Sequence, residues 1–119
     1  MMKHISLIAA AMLLIASCAP KEKEIYVPKD LQTMDLNDPE SEYCYERMAL
    51  TENFAIFWEK GFGNDLSAAP ELEGQDMTID IENLKTKLET FYDYFYNDLG
   101  FAKKGSKADR YRMLVMLRY

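Results

Sequence analysis

The sequence predicts an α/β domain: a small sheet with a strand–helix–strand unit, packed by one long amphipathic helix. Three observations predict it. Phe54-Ala55-Ile56-Phe57-Trp58 is a continuous aromatic and β-branched run; Met113-Leu114-Val115-Met116-Leu117 is a second uninterrupted apolar run; and between them Ile81, Leu84, Leu88, Phe91, Phe95 and Leu99 recur every three or four residues. Apolar runs without alternation describe strands covered on both faces, and the three-to-four spacing describes one face of a helix.

The elements follow in order. Tyr43, Tyr45, Met48 and Leu50, interrupted by Glu46 and Arg47, fit an edge strand, and Thr51-Glu52-Asn53 is a polar turn. After Trp58, Gly61, Gly63, Asn64, Asp65, Pro70 and Gly74 open a long loop. Asp80 is placed to cap the helix, Glu82 puts negative charge in its first turn, and Gly100 ends it. Lys103-Lys104-Gly105-Ser106-Lys107 makes a polar turn into the strand Tyr111–Tyr119. That strand is expected inside the sheet, and the crossover right-handed by the general rule.

The N-terminus carries a different signal. Lys3 and His4 precede an apolar run from Ile5 to Ile15, too short to span a bilayer but long enough for a secretory core. Ile15-Ala16-Ser17-Cys18 then places a branched apolar residue three before a cysteine and small residues between. This is the lipobox pattern. Small side chains suit the signal peptidase, which cuts between Ser17 and Cys18, and only a thiol can take the thioether-linked lipid. The expected organisation is a signal helix over residues 1–17, a lipid-anchored flexible tether over 18–41 and a partial α/β domain over 42–119. Pro20, Pro28, Pro39 and the alternating charges Lys21-Glu22-Lys23-Glu24 argue for the tether. The charged stretch serves either as a surface-targeting signal or as an ordinary solvated linker.

Charge and side-chain inventory exclude several functions. The net charge is −6, and removing residues 1–17 with Lys3 makes it −7, which argues against nucleic acid and against a polybasic membrane-binding surface. The single histidine, His4, lies in the signal, so the mature chain has no zinc site of the usual His/Cys type. With Cys18 lipidated, Cys44 has no disulfide partner and no histidine to activate it, and reads as a small buried apolar residue. Asp65, Glu71, Glu73, Asp76 and Asp80 lack the spacing of a calcium loop and read as a solvated acidic loop. Asp93 and Asp98 read as solvated helix residues. Tyr92, Tyr94 and Tyr96 extend an aromatic cluster of core or interface type, and Gly61-Phe62-Gly63 lacks the residues of a phosphate cradle. No catalytic residue, metal site or cofactor is expected.

Three stretches carry a family resemblance: Asn53-Phe54-Ala55-Ile56-Phe57-Trp58-Glu59-Lys60-Gly61-Phe62-Gly63; Tyr96-Asn97-Asp98-Leu99-Gly100-Phe101; and Tyr111-Arg112-Met113-Leu114-Val115-Met116-Leu117-Arg118-Tyr119. Together they resemble the N-terminal portion of exported bacterial lipoproteins of unknown function that are grouped with zincin-like zinc metallopeptidases. In that family a later helix supplies H-E-x-x-H, two histidines for zinc and a glutamate acting on the bound water. No such helix occurs here, so the resemblance implies an incomplete zincin-like domain that acts as scaffold and is not catalytic by itself.

Three functional readings follow: the scaffold half of an exported hydrolase; a non-catalytic surface-binding lipoprotein using the long loop or the tyrosine-rich helix on an unidentified peptide or glycan; and a truncated gene product. The expected location is the cell envelope, at the outer membrane through lipid on Cys18, periplasmic or surface-exposed. One helix cannot cover two sheet faces, so residues 42–119 in isolation are expected to self-associate.

Overall fold

Strands that are apolar on both faces need cover on both, and two different parts of the chain supply it. The computed structural model describes residues 22–119. The expected signal peptide, the expected cleavage site after Ser17 and the expected lipidation site Cys18 lie outside the described residues. The sheet has three strands, β1 (Met48–Leu50), β2 (Phe54–Trp58) and β3 (Met113–Leu117), in that spatial order. β1 runs antiparallel to β2 with Met48 opposite Phe57, and β2 runs parallel to β3 with Phe54 opposite Met113 and Trp58 opposite Leu117. The turn between β1 and β2 closes where predicted: Thr51 N–H donates to the Phe54 carbonyl at 2.9 Å, and Phe54 N–H to the Thr51 hydroxyl at 2.9 Å. Helices α1 (Lys29–Gln32), α2 (Ile81–Tyr92) and α3 (Lys107–Arg110) accompany the sheet. The chain is a small mixed α/β domain.

The central strand β2 is buried along its whole length. Its side chains alternate between two apolar clusters. Phe54 and Ile56 pack with Ile81, Leu84, Leu88 and Tyr92 of α2 and with Val115 and Leu117 of β3. Ala55 and Phe57 point the other way, onto Leu31, Leu36 and Tyr43, with Ile25, Val27, Met34, Met48, Leu114 and Met116 packed around them. The second cover therefore comes from the segment expected to be a solvated tether. Over residues 22–41 that expectation is corrected: Leu31 and Leu36 are only 8% and 6% exposed. Proline and charge mark this stretch as irregular, but irregular backbone can still bury a side chain every few residues.

β3 corrects a second expectation. It was expected inside the sheet but is its outer strand among the described residues. Its apolarity reports cover on both faces, by α2 and by residues 25–36, and says nothing about its edges. Glu24 bridges to Tyr111 at the start of that edge, with Glu24 N–H donating to Arg110 O at 2.9 Å and Arg112 N–H to Glu24 O at 2.8 Å. Met113 N–H faces Asn53 O at 2.8 Å, so by alternation the backbone groups of Leu114 and Met116 point away from β2. No backbone hydrogen bond reaches them among the described residues.

The helix corrects a third. Asp80 caps it as predicted, its carboxylate accepting from Asn83 N–H at 3.0 Å, and Gly100 takes φ 65° at its end. However, the α-helix stops at Tyr92 and continues as a π-helix over Asp93–Asp98. From Leu88, a step of four residues stays closer to the inner face than a step of three. The buried stripe therefore runs on through Tyr92, with Tyr96 packed beside it. Phe91 and Leu99, expected on that stripe, are each 51% exposed.

Two of the three stretches that carry the family resemblance, 53–63 and 111–119, interlock. The loop after β2 turns through Lys60–Phe62 and Leu66–Ala68, burying Phe62, Leu66 and Ala69 against Trp58. Trp58 Nε1–H donates to the Gly63 carbonyl at 2.9 Å. Glu59 accepts from Tyr119 N–H at 2.7 Å and from the Tyr43 hydroxyl at 3.3 Å. Burial, then the Glu59 charge, raises the Tyr43 hydroxyl above its ordinary pKa. Tyr119 lies edge-on to Phe62 with ring centroids 5.1 Å apart, and its hydroxyl donates to Pro70 O at 2.9 Å. Gly61 is required by this contact, because a Cβ there would sit 2.3 Å from Tyr119 Cδ1. Gly61→Ala is expected to cost about 1–3 kcal/mol by overpacking. Urea melts of Gly61→Ala in the wild-type and Tyr119→Ala backgrounds check it: the cost should vanish in the second, and an equal cost in both would disprove the contact.

Candidate functional site

A large open site is built where the N-terminal segment meets the far end of α2. An ammonium group has three donors and no acceptor. Lys23 gives its three to Asn53 Oδ1 at 2.5 Å, the Tyr92 hydroxyl at 2.8 Å and the Ala108 carbonyl at 2.8 Å. It also lies 4.6 Å from the centroid of the Tyr92 ring, a cation–π contact. Asn53 is buried in the β1–β2 turn, and its backbone N–H and side-chain amide reach the two Glu89 oxygens at 2.9 and 2.7 Å. Arg112 donates to Thr51 O at 2.8 Å and to Lys23 O, fastening the same segment from the other side.

The carboxylates respond to this network. Partial burial would raise Glu89, but hydrogen bonds from Thr51 and Asn53 and the Lys23 charge outweigh it, and the net shift is downward. Tyr96 donates to Asp109. That bond pushes the Tyr96 hydroxyl up to about 12 and, with Gly105 N–H, holds Asp109 below the usual carboxylate range. The depressed Glu89 implies a definite pH dependence. Its stabilisation is fully present above the unfolded value, near 4.5, and is lost as pH falls through the lower folded value. Glu89→Gln should therefore be less stable than wild type at pH 7, and the gap should narrow as pH falls below 4.5 and through the lowered folded value. Denaturant midpoints between pH 3 and 7 measure this, and a gap that stays constant with pH would refute it.

Beside this network lies an open cleft of ≈ 780 Å³, walled by Thr51, Glu52, Lys85, Thr86, Thr90 and Asn97 with Tyr96 at its side. Its hydroxyls and amides can hydrogen-bond a polar ligand. Its titratable core is already committed: Lys23 has no free donor, and Glu89 is held by the Asn53 amides. Nothing here pairs a nucleophile with a base, and no group of three His, Cys, Asp or Glu side chains converges among the described residues.

The residues weighed from sequence fall elsewhere. Cys44 is 1% exposed and free, in the small buried role expected of it. The acidic loop does not gather. Asp65 accepts from Ser67 N–H at 2.9 Å and from its hydroxyl at 2.7 Å; Asp76 accepts from Thr78 N–H at 2.9 Å and its hydroxyl at 2.7 Å; and Asp80 caps α2. Glu71 and Glu73 are exposed. Asp93 accepts from Asn97 Nδ2–H at 2.6 Å on the outer side of the π-helix. The meeting of Lys23, Asn53, Glu89 and Asp109 was not legible in the sequence, where Lys23 read as tether and Asn53 as a turn residue. They lie 20 to 86 positions apart, beyond any local pattern.

A second surface stands beside the cleft. The rings of Phe91 and Phe95 lie 4.2 Å apart, and those of Phe95 and Phe101 5.4 Å apart, with Tyr94 edge-on to Phe95 at 5.2 Å. Phe101 is 74% exposed. No helix among the described residues is long and apolar enough to cross a membrane. No curated protein and no solved structure matches the chain. A family model does match, over residues 17–119, and by that match the chain belongs to DUF6055, a family of unknown function.

Proposed function

We propose that this chain is an exported lipoprotein, held in the cell envelope at the outer membrane by lipid on Cys18, whose folded body is a non-catalytic scaffold. The observation that carries the reading is Ile15-Ala16-Ser17-Cys18 at the end of a short apolar core. The scaffold role belongs to a zincin-like hydrolase, in which a strand–helix–strand layer backs an active-site helix. The free edge of β3 supports it, since Leu114 and Met116 offer backbone groups to a further strand. The commitment of Lys23 and Glu89 to structural bonds supports a body without chemistry of its own.

A second reading, a surface-binding lipoprotein for a peptide or glycan, is favoured by the hydroxyl-rich open cleft. Cys18→Ala separates the anchor from both. Wild type should take up radiolabelled palmitate and partition into detergent, and Cys18→Ala should do neither and accumulate as precursor or soluble protein. Unlabelled wild type, or unchanged partitioning of the variant, would end the lipoprotein reading.

A further inference from the structure

The exposed aromatic row lies where α2 outruns the sheet. Phe54 opens β2 and meets Tyr92 edge-on at 6.0 Å, so the residues beyond Tyr92 pass the end of that strand. Phe91, Tyr94, Leu99 and Phe101 are each at least half exposed, and the rings of Phe91, Tyr94 and Phe101 are contiguous through Phe95. A contiguous aromatic surface of this kind is costly in water and marks a contact.

Two observations identify what it contacts. The first is chain reach. Lys23 is fixed against Tyr92, with its ammonium 5.8 Å from the centroid of the Tyr96 ring. It stands five residue steps from Cys18, which fully extended span about 17 Å. The described fold thus replaces a long tether by a short one, which leaves from the same end of the helix as the aromatic row. The second is charge. Exposed Lys103, Lys104 and Lys107 follow Phe101 directly, although the chain as a whole carries −6. Aromatic rings flanked by lysines match the headgroup region of a bilayer, where rings sit at the boundary and ammonium groups meet phosphate.

We propose that the Phe91–Phe95–Phe101 row, with Lys103, Lys104 and Lys107, rests on the phospholipid surface that holds the lipid of Cys18. The inference rests on the lipoprotein reading and adds an orientation to it. The sheet's other end, with the loop around Glu73, faces away from the membrane.

The test uses the full lipidated chain in phosphatidylethanolamine–phosphatidylglycerol vesicles. Phe101→Cys and Glu73→Cys are each labelled with an environment-sensitive fluorophore; Cys44 is buried and Cys18 is blocked. The label at 101 should shift to the blue and lose emission to quencher-bearing lipids, and the label at 73 should remain open to aqueous iodide. Equal iodide access at both positions in vesicle-bound protein overturns the orientation while leaving the anchor intact. Wild-type protein that does not float with vesicles overturns the anchor itself, and the orientation with it. Sedimentation of the Cys18→Ala chain covers the remaining occupant. A dimer abolished by Phe101→Asp would assign the row to a second copy and overturn the membrane contact.

Discussion

A chain starting at residue 42 is expected to lose cooperative folding and to associate, whereas the full chain carrying Cys18→Ala is expected to melt cooperatively as a monomer. The difference lies in Ile25, Val27, Leu31, Met34 and Leu36, which cover Ala55, Phe57, Leu114 and Met116. Full burial of such a side chain contributes about 1.5–3 kcal/mol. Three of the five are only partly buried, so the segment supplies on the order of 5–10 kcal/mol, an upper figure because the unfolded chain already hides some of this surface. That is as large as the whole stability of an ordinary small domain, about 5–15 kcal/mol. The truncation also removes Lys23 from Asn53 and Glu24 from the edge beside Tyr111. Urea melts and sedimentation on the two chains decide the matter. A monomeric 42–119 chain with an unchanged midpoint would mean that residues 22–41 lie on the fold without holding it.

This case shows where the sequence was legible and where it was not. Phe54–Trp58 and Met113–Leu117 were read correctly as strands, because an apolar run flanked by polar turns has few other homes. Asp80 and Gly100 were read correctly as the ends of the helical stretch, because capping is a local matter of one side chain or one φ angle. Cover of the second face was not legible. Leu31 and Leu36 sit in an irregular segment with no period, and their partners lie about 20 to 80 residues downstream. The inner stripe of the helix failed for a subtler reason. Phe91 and Tyr92 are adjacent aromatics that both fit a three-or-four spacing from Leu88; only the smaller angular offset of a four-residue step favours Tyr92, and no local pattern announces the widening at Asp93 beyond it.

The candidate site was less legible than the fold. Its bonds run between the segment before α1, the β1–β2 turn, α2 and α3, four elements whose meeting is a product of topology. Lys23 had the composition of a solvated linker, and only its three satisfied donors reveal a fixed role. Two of the short stretches that carry the family resemblance, 53–63 and 111–119, pack against each other. Glu59, Gly61 and Phe62 meet Tyr119, so each stretch constrains the other through packing.

Arg47 is expected to be among the most sensitive polar positions in the chain, with Arg47→Met and Arg47→Lys each losing about 2–4 kcal/mol. It was read as an interruption of an edge strand, yet it is 2% exposed. Its guanidinium donates to three backbone carbonyls, Pro39 at 2.9 Å, Ser41 at 2.5 Å and Glu42 at 3.2 Å. Those bonds fold the 39–42 turn under the sheet's entry. Hydrogen bonds to a charged donor contribute about 1.5–3 kcal/mol each. Relief of the buried charge and rehydration of carbonyls near the surface offset part of the loss. Methionine fills much of the volume but donates nothing. Lysine keeps the charge but cannot span three acceptors with a planar fork. The two variants should therefore fail alike, which separates geometry from charge. Guanidinium melts provide the measurement. A lysine variant within about 0.5 kcal/mol of wild type, the scatter of ordinary surface substitutions, would show that charge alone suffices and that the turn does not depend on the fork.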